Sequence, residues 1–225
     1  LSKLRTPVII VNYKAYEEVE GSRGAMISGI CEEVAKESGV SVAVSPPQVQ
    51  LSSTASLVDI PVLAQHVDAF TPGSRTGWIT PSMVKAAGAK GTLINHSEHP
   101  VSLDNIAKVV ALCKELDLVT VVCADTVDTA RDIAPFGPDF IAVEPPELIG
   151  GDISVTTAKP EVVSDAVKAV HEVDPFIKVL CGAGVKTGND VKVAIELGAE
   201  GVLLASGVVK ASSIKSALRE LIQYL

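Results

Sequence analysis

Hydrophobic and polar positions along the chain fall into two alternating textures. Short runs rich in β-branched residues stand between longer stretches in which apolar residues recur every three or four positions with charges between them. Eight short runs read as strands: "PVIIVN" ending at Asn12, "VSVAVS" at Ser45, "IPVLAQ" at Gln65, "KGTLIN" at Asn95, "LVTVVC" at Cys123, "DFIAVE" at Glu144, "IKVLCG" at Gly182 and "GVLLAS" at Ser206. The stretches "AMISGICEEVAKESG", "SLDNIAKVVALCKELD", "DTARDIAPFG", "EVVSDAVKAVHEVD" and "NDVKVAIELG" read as helices, most of them closed by Gly or followed by Pro. Repeated strand–helix–strand units demand right-handed crossovers and a parallel sheet. Eight such units with no Ser/Pro linker predict an α/β architecture: a single domain over residues 1–225, closed as a (β/α)8 barrel with eight parallel strands. An open doubly wound sheet is the alternative, but no GxGxxG follows the first strand.

Composition agrees with a sheet buried on both faces, since 47% of the residues are hydrophobic and only 4% aromatic. A formal net charge of -8 without a Lys/Arg cluster excludes an electrostatic footprint for nucleic acid or an anionic membrane surface. A small anion remains compatible, because a few local donors hold one against the global field. The longest apolar runs, such as "VVALC" and "GVLLA", fall far short of the roughly 20 residues of a membrane span, and "LSKLRTPVII" lacks a signal peptide's cleavage region. A soluble intracellular protein is expected. Cys31, Cys113, Cys123 and Cys181 are widely spaced with no CxxC pair, which fits buried free thiols and neither a disulfide framework nor a metal site.

In a parallel barrel the chemistry collects at the C-terminal ends of the strands. Those ends carry Asn12 with Lys14, Gln65 with His66, Asn95 with His96, Ser97 and Glu98, Cys123, Glu144, the run Gly182-Ala183-Gly184, and Ala205-Ser206-Gly207. Singly, each has a structural explanation. A strand-end Glu partners a helix dipole, His96 caps a short helix, Lys14 is a surface charge and the glycines make turns. Together they form a base, an imidazole and an ammonium on one rim, beside loops suited to phosphate. "CGAGVKTGNDV" and "LLASGVVKA" each put small residues between a strand and a helix, leaving backbone N–H groups open to an anion. In "IAVEPPELIGG" an apolar strand delivers Glu144 and then breaks into Pro145, Pro146, Gly150 and Gly151, the composition of a stiff hinge before a mobile flap.

These residues resemble the triosephosphate isomerase family, specifically its shorter archaeal-type members. "NYKAY", "AQHVD", "GSRTGWITPSMVKAAGAKGTLINHSE", "INHSEHP", "AVEPPELIGG", "CGAGV" and "GVLLASGVVKA" carry the likeness in order from Pro7 nearly to the C-terminus. The resemblance implies a TIM barrel with some shortened outer helices and a cofactor-free, metal-free aldose–ketose isomerase acting on a triose phosphate. The following roles are the family's, carried over by position. Glu144 is the base and His96 a neutral electrophile. Lys14 supplies positive charge and Asn12 a neutral donor. Ile149, Gly150, Gly184, Ala205 and Ser206 hold the phosphate, and Ser97 and Glu98 support from behind.

The same likeness implies a cytoplasmic homo-oligomer, at least a dimer and by the archaeal pattern a tetramer, in which "TPGSRTGW" reaches a neighbouring subunit near the first-strand lysine. Trp78 and His99 stand where bacterial and eukaryotic relatives carry an acidic residue and an arginine, so their intersubunit ion pair is not expected here. Another phosphosugar isomerase, such as one acting on phosphoribosylanthranilate, would explain the phosphate loops but not the set Asn12, Lys14, His96 and Glu144. A non-catalytic phosphometabolite-binding barrel would have no use for the base and electrophile.

Overall fold

A computed structural model describes residues 4–145 and 159–225. Eight strands form one parallel sheet: β1 Val8–Asn12, β2 Ser41–Ser45, β3 Leu63–Ala64, β4 Gly91–Ile94, β5 Val119–Ala124, β6 Phe140–Val143, β7 Lys178–Cys181 and β8 Gly201–Leu204. β1 pairs with β2 and β8, each strand from β3 to β7 pairs with the next, and an isolated parallel bridge between Val44 of β2 and Val62, the residue before β3, joins the two ends of the sheet. The ring is a (β/α)8 barrel.

The described helices are α1 Ser22–Ser38, α2 Leu51–Leu57, α3 Pro81–Ala86, α4 Leu103–Glu115, α5 Val127–Ile133, α6 Pro160–Val173, α7 Gly188–Glu196, α8 Ser206–Val209 and α9 Ile214–Ile222. Local chemistry sets their starts. Thr80, Ser102, Thr126, Thr187 and Ser213 each accept a hydrogen bond from a backbone N–H of the first turn. Helices α2, α3 and α5 span only seven, six and seven residues, the shortened outer layer that the chain's length leads one to expect.

Strand alternation divides the core in two. Val8, Ile10, Ala43, Leu63, Leu93, Val121, Cys123, Phe140, Ala142, Leu180 and Leu203 fill the barrel interior. Ile9, Val11, Val42, Val44, Ile94, Val122, Ile141, Val143, Val179 and Val202 pack outward against the helices. Cys31, Cys113, Cys123 and Cys181 are buried free thiols within these layers. The same alternation positions the site: continuing the inward parity by one step puts Asn12 beyond Ile10, Gln65 beyond Leu63, Glu144 beyond Ala142, Gly182 beyond Leu180 and Ala205 beyond Leu203 at the barrel mouth.

Candidate active site

Glu144 follows β6 directly, and its backbone N–H donates to the Ala124 carbonyl at 2.8 Å, so the carboxylate is carried on the sheet rather than on a loose loop. The residue is 2% exposed. Burial pushes its carboxyl up to about 8, against the opposing pull of the Cys123 thiol and the Lys14 charge, while Glu98 pushes the same way as burial. Its Oε2 is buried with no hydrogen-bond partner among the described residues. An unpaired buried carboxylate oxygen is costly in a purely structural role and is what a proton acceptor needs.

His96 Nε2 lies 3.7 Å from that oxygen. The imidazole is turned inward by Asn95, whose φ of 60° is left-handed and which is held there by two bonds: its Nδ2 donates to the Cys123 carbonyl and its Oδ1 accepts from Val101 N–H, both at 2.9 Å. The Glu98 backbone N–H donates to His96 Nδ1 at 3.2 Å. Nδ1 is therefore an acceptor, and the neutral ring carries its proton on Nε2, facing Glu144. Burial and the Lys14 charge lower the pKa of His96, with Glu98 opposing them, so the neutral form is favoured.

Lys14 also has a left-handed backbone, with φ 50°. Its ammonium pairs with Glu98 Oε1 at 2.7 Å. Its N–H donates to Asn12 Oδ1 at 2.9 Å, and Gln65 Nε2 donates to the same oxygen at 3.3 Å, to the Lys14 carbonyl at 3.0 Å and to the Ser45 carbonyl at 3.1 Å. With Oδ1 occupied, Asn12 offers its amide N–H groups to the cleft.

Across from this set, β7 and β8 end in two loops that nearly touch. Gly184 takes φ 68°, and the first turn of α8 begins at Ser206. A Cβ on Gly207 would come within 3.3 Å of the Val185 carbonyl oxygen. Asp190 Oδ2 accepts from the N–H groups of Lys186 and Thr187 at 3.1 and 2.9 Å, locking the β7 loop to the start of α7. One cleft is lined by Asn12, Lys14, His96, Glu144, Gly184, Ala205 and Ser206, together with Tyr16, Gly182, Val185 and Lys186. Among the described residues, no group of three or more His, Cys, Asp and Glu could hold a metal ion.

A family model described as "Triosephosphate isomerase" matches residues 7–224. The chain belongs to the triosephosphate isomerase family. It is similar to the curated triosephosphate isomerase of Methanocaldococcus jannaschii, 51% identical over 218 residues that cover 97% of this chain and 100% of the relative. Those of Methanothermobacter thermautotrophicus and Methanothermus fervidus are 50% and 49% identical, covering 96% of this chain in each case and 95% and 97% of the relatives. The chain is an isomerase. Among its described residues no helix is long and apolar enough to cross a membrane.

Of the residues that the likeness to the triosephosphate isomerase family singled out, seven share the cleft: Asn12, Lys14, His96, Glu144, Gly184, Ala205 and Ser206. Glu98 stands behind, touching both Lys14 and His96. Ser97 is exposed and lines a neighbouring depression with Asn95, Cys123 and Glu144, outside the cleft that the seven share. Ile149, Gly150 and the flap beyond Pro145 lie outside the described residues. His171 Nε2 lies 3.1 Å from the Ile177 carbonyl oxygen, and His66 bonds Asp68 at 3.1 Å and stacks on His99 at 4.0 Å. Gln65, Cys123 and Gly182 were visible only as strand ends. Their strand parity was the signal that would have marked them as facing the site.

Proposed function

We propose that this single-domain barrel interconverts D-glyceraldehyde 3-phosphate and dihydroxyacetone phosphate through an enediolate, without a metal or organic cofactor. The observation that carries the proposal is the unpartnered Glu144 Oε2 beside His96 Nε2, 3.7 Å apart in a cleft shared with Lys14.

Glu144, once ionised, takes a proton from the carbon next to the carbonyl, and the C–H electron pair moves into the enediolate. The Nε2–H of neutral His96 donates to the oxygen on which charge develops, and Lys14 and the Asn12 amide oppose that charge. The hydroxyl proton passes from one enediolate oxygen to the other by exchange with His96 Nε2–H, Glu144 returns its proton to the neighbouring carbon, and the two transfers together complete the exchange of aldehyde and ketone. A desolvated carboxylate suits the task, since burial raises its basicity toward a weakly acidic C–H bond. Gly184, Ala205 and Ser206, with the backbone of Ile149 or Gly150, hold the phosphate. The working form is a cytoplasmic homo-oligomer, tetrameric by the archaeal pattern, in which the loop of residues 71–78 meets a second copy.

A coupled assay that converts glyceraldehyde 3-phosphate and detects dihydroxyacetone phosphate tests the assignment. The unmodified chain should turn over, and Glu144→Gln should lose at least about 10³-fold in kcat, as removal of a general base does. Full activity in Glu144→Gln would remove the base from the scheme.

A further inference from the structure

Tyr16 lines the catalytic cleft together with Asn12, Lys14, Ala205 and Ser206, and no step of the reaction above uses it. Its place is fixed from several sides. Its carbonyl accepts the Val19 N–H at 3.2 Å in the turn after β1, Val19 is buried, and the half-buried ring packs against the outer core. Lys210 Nζ stands over one face of the ring, 4.2 Å from its centroid, and 3.8 Å from Glu18 Oε1. The ammonium is shared between a carboxylate and the electron-rich face of the phenol. Lys210 closes α8, its N–H donating to the Ser206 carbonyl at 3.1 Å. The ring therefore ties the loop after β1 to the loop after β8.

The position of that ring matters because the cleft is narrow. Its free volume is about 40 Å³, against about 430 and 500 Å³ for two other depressions on the described surface. Gly182, Gly184, Ala205 and Ser206 contribute small groups to its wall, and Tyr16 carries the bulkiest side chain of the lining. A substrate is anchored at two places, its carbonyl between Glu144 and His96 and its phosphate at Gly184, Ala205 and Ser206. One more carbon between those anchors pushes the phosphate outward or bows the chain against the wall. A ring with the core behind it and an ammonium over it cannot withdraw to make room.

We infer that Tyr16 sets the length of the substrate: its ring, held by Lys210, closes the cleft beside Ser206 and restricts the isomerase to three-carbon phosphates. The inference rests on the triose phosphate reading of the cleft and deepens it by naming the residue that selects against longer sugar phosphates. Discrimination of this kind is a difference between two substrates in kcat/KM, and a single added carbon is worth about 10- to 200-fold.

The test compares D-glyceraldehyde 3-phosphate with D-erythrose 4-phosphate, which has one more carbon and undergoes the same proton transfer between its first two carbons. Formation of each ketose is followed by proton NMR in the unmodified chain, Tyr16→Phe, Tyr16→Ala and Tyr16→Ser. Circular dichroism and thermal melting establish that each variant is folded, so a folding defect in one truncation leaves the other readable. Tyr16→Phe keeps the ring and should keep the selectivity. In Tyr16→Ala and Tyr16→Ser the ratio of kcat/KM for the three-carbon over the four-carbon substrate should fall about tenfold or more. A purely structural role would lower activity on both substrates alike and leave their ratio where it was. A ratio unchanged within about twofold in a folded truncation would therefore overturn the inference. Absence of glyceraldehyde 3-phosphate turnover in the unmodified chain would instead overturn the isomerase reading, so the two failures are distinguishable.

Discussion

Gly182 at the end of β7 and Glu144 at the end of β6 leave no room for a side chain between them: a Cβ on Gly182 would overlap Glu144 Cγ and stand 2.9 Å from Oε1 and 3.1 Å from Cδ. The closeness follows from register. Val143 pairs with Cys181, and the Gly182 N–H donates to the Val143 carbonyl at 3.0 Å, which puts the next residue of each strand side by side on the inner face. Glycine is required here for space and not for an unusual backbone angle.

Gly182→Ala should therefore act on the base. The sheet cannot yield easily, so the carboxylate moves, and a displacement on the order of 1 Å costs about 10²-fold in rate. Steady-state kinetics should show the loss in kcat, with the phosphate inhibition constant changed less because Gly184, Ala205 and Ser206 themselves are kept. Unaltered kcat would mean that the carboxylate tolerates displacement.

Glu144 also predicts how stability depends on pH. Its folded pKa of about 8 lies above the ordinary carboxylate value, so between about pH 4.5 and 8 the folded state binds more protons than the unfolded state. Folding stability should fall as pH rises through that window, by up to a few kcal/mol for this group alone. Glu144→Gln mimics the neutral form and should melt at a higher temperature than the unmodified chain at pH 8, while the two converge near pH 5. Equal melting differences at both pH values would mean that the carboxyl is not perturbed in the folded state.

The inward set at the mouth was legible because strand parity is a sequence property: Ile10 leads to Asn12 and Ala142 to Glu144 with no turn between. His96 was legible as a residue but not as a geometry. It reaches the cleft because Asn95 adopts a left-handed angle held by Cys123 and Val101, contacts between segments that no local spacing encodes. Gln65 was hidden for a similar reason, since its role lies in one amide meeting acceptors from Asn12, Lys14 and Ser45. The run "IPVLAQ" reads as a six-residue strand, but only Leu63–Ala64 pair as one. Pro61 has no N–H to donate, and Val62 contributes a single bridge to Val44.

Gln65 yields a prediction from that geometry. Gln65→Leu keeps the volume and removes the donor, which leaves Asn12 Oδ1 to the Lys14 N–H and the Ser45 carbonyl to the Tyr13 N–H and takes the Gln65 donor from the Lys14 carbonyl, at a cost of about 1–3 kcal/mol. Its kinetic effect should depend on Asn12. In a double-mutant cycle with Asn12→Ala, the coupling in kcat/KM should reach about 0.5–3 kcal/mol. Additive losses would show that Gln65 supports the fold without orienting Asn12.

The loop after β3 makes the last prediction. Residues 71–78 are all exposed on the isolated chain, including Trp78, 49% exposed. Arg75 lies 4.1 Å over the Phe70 ring, and Phe70 meets Trp78 edge-on at 4.9 Å, so the exposed indole is held by a preformed cluster and is not a stray side chain. Such an anchor fits a contact with a second copy, since Trp and Arg dominate the energetics of interfaces. Light scattering behind size exclusion should give a mass that is a multiple of the 23.4 kDa chain. Trp78→Glu should shift it toward the single-chain value, because a charge would then be buried without a partner. If the loop shelters the strand end bearing Lys14 in the neighbouring copy, specific activity should fall with dissociation, so dilution series of the variant and the unmodified chain should separate in activity where they separate in mass. A single-chain mass with full activity in the unmodified protein would remove the second copy from the site altogether.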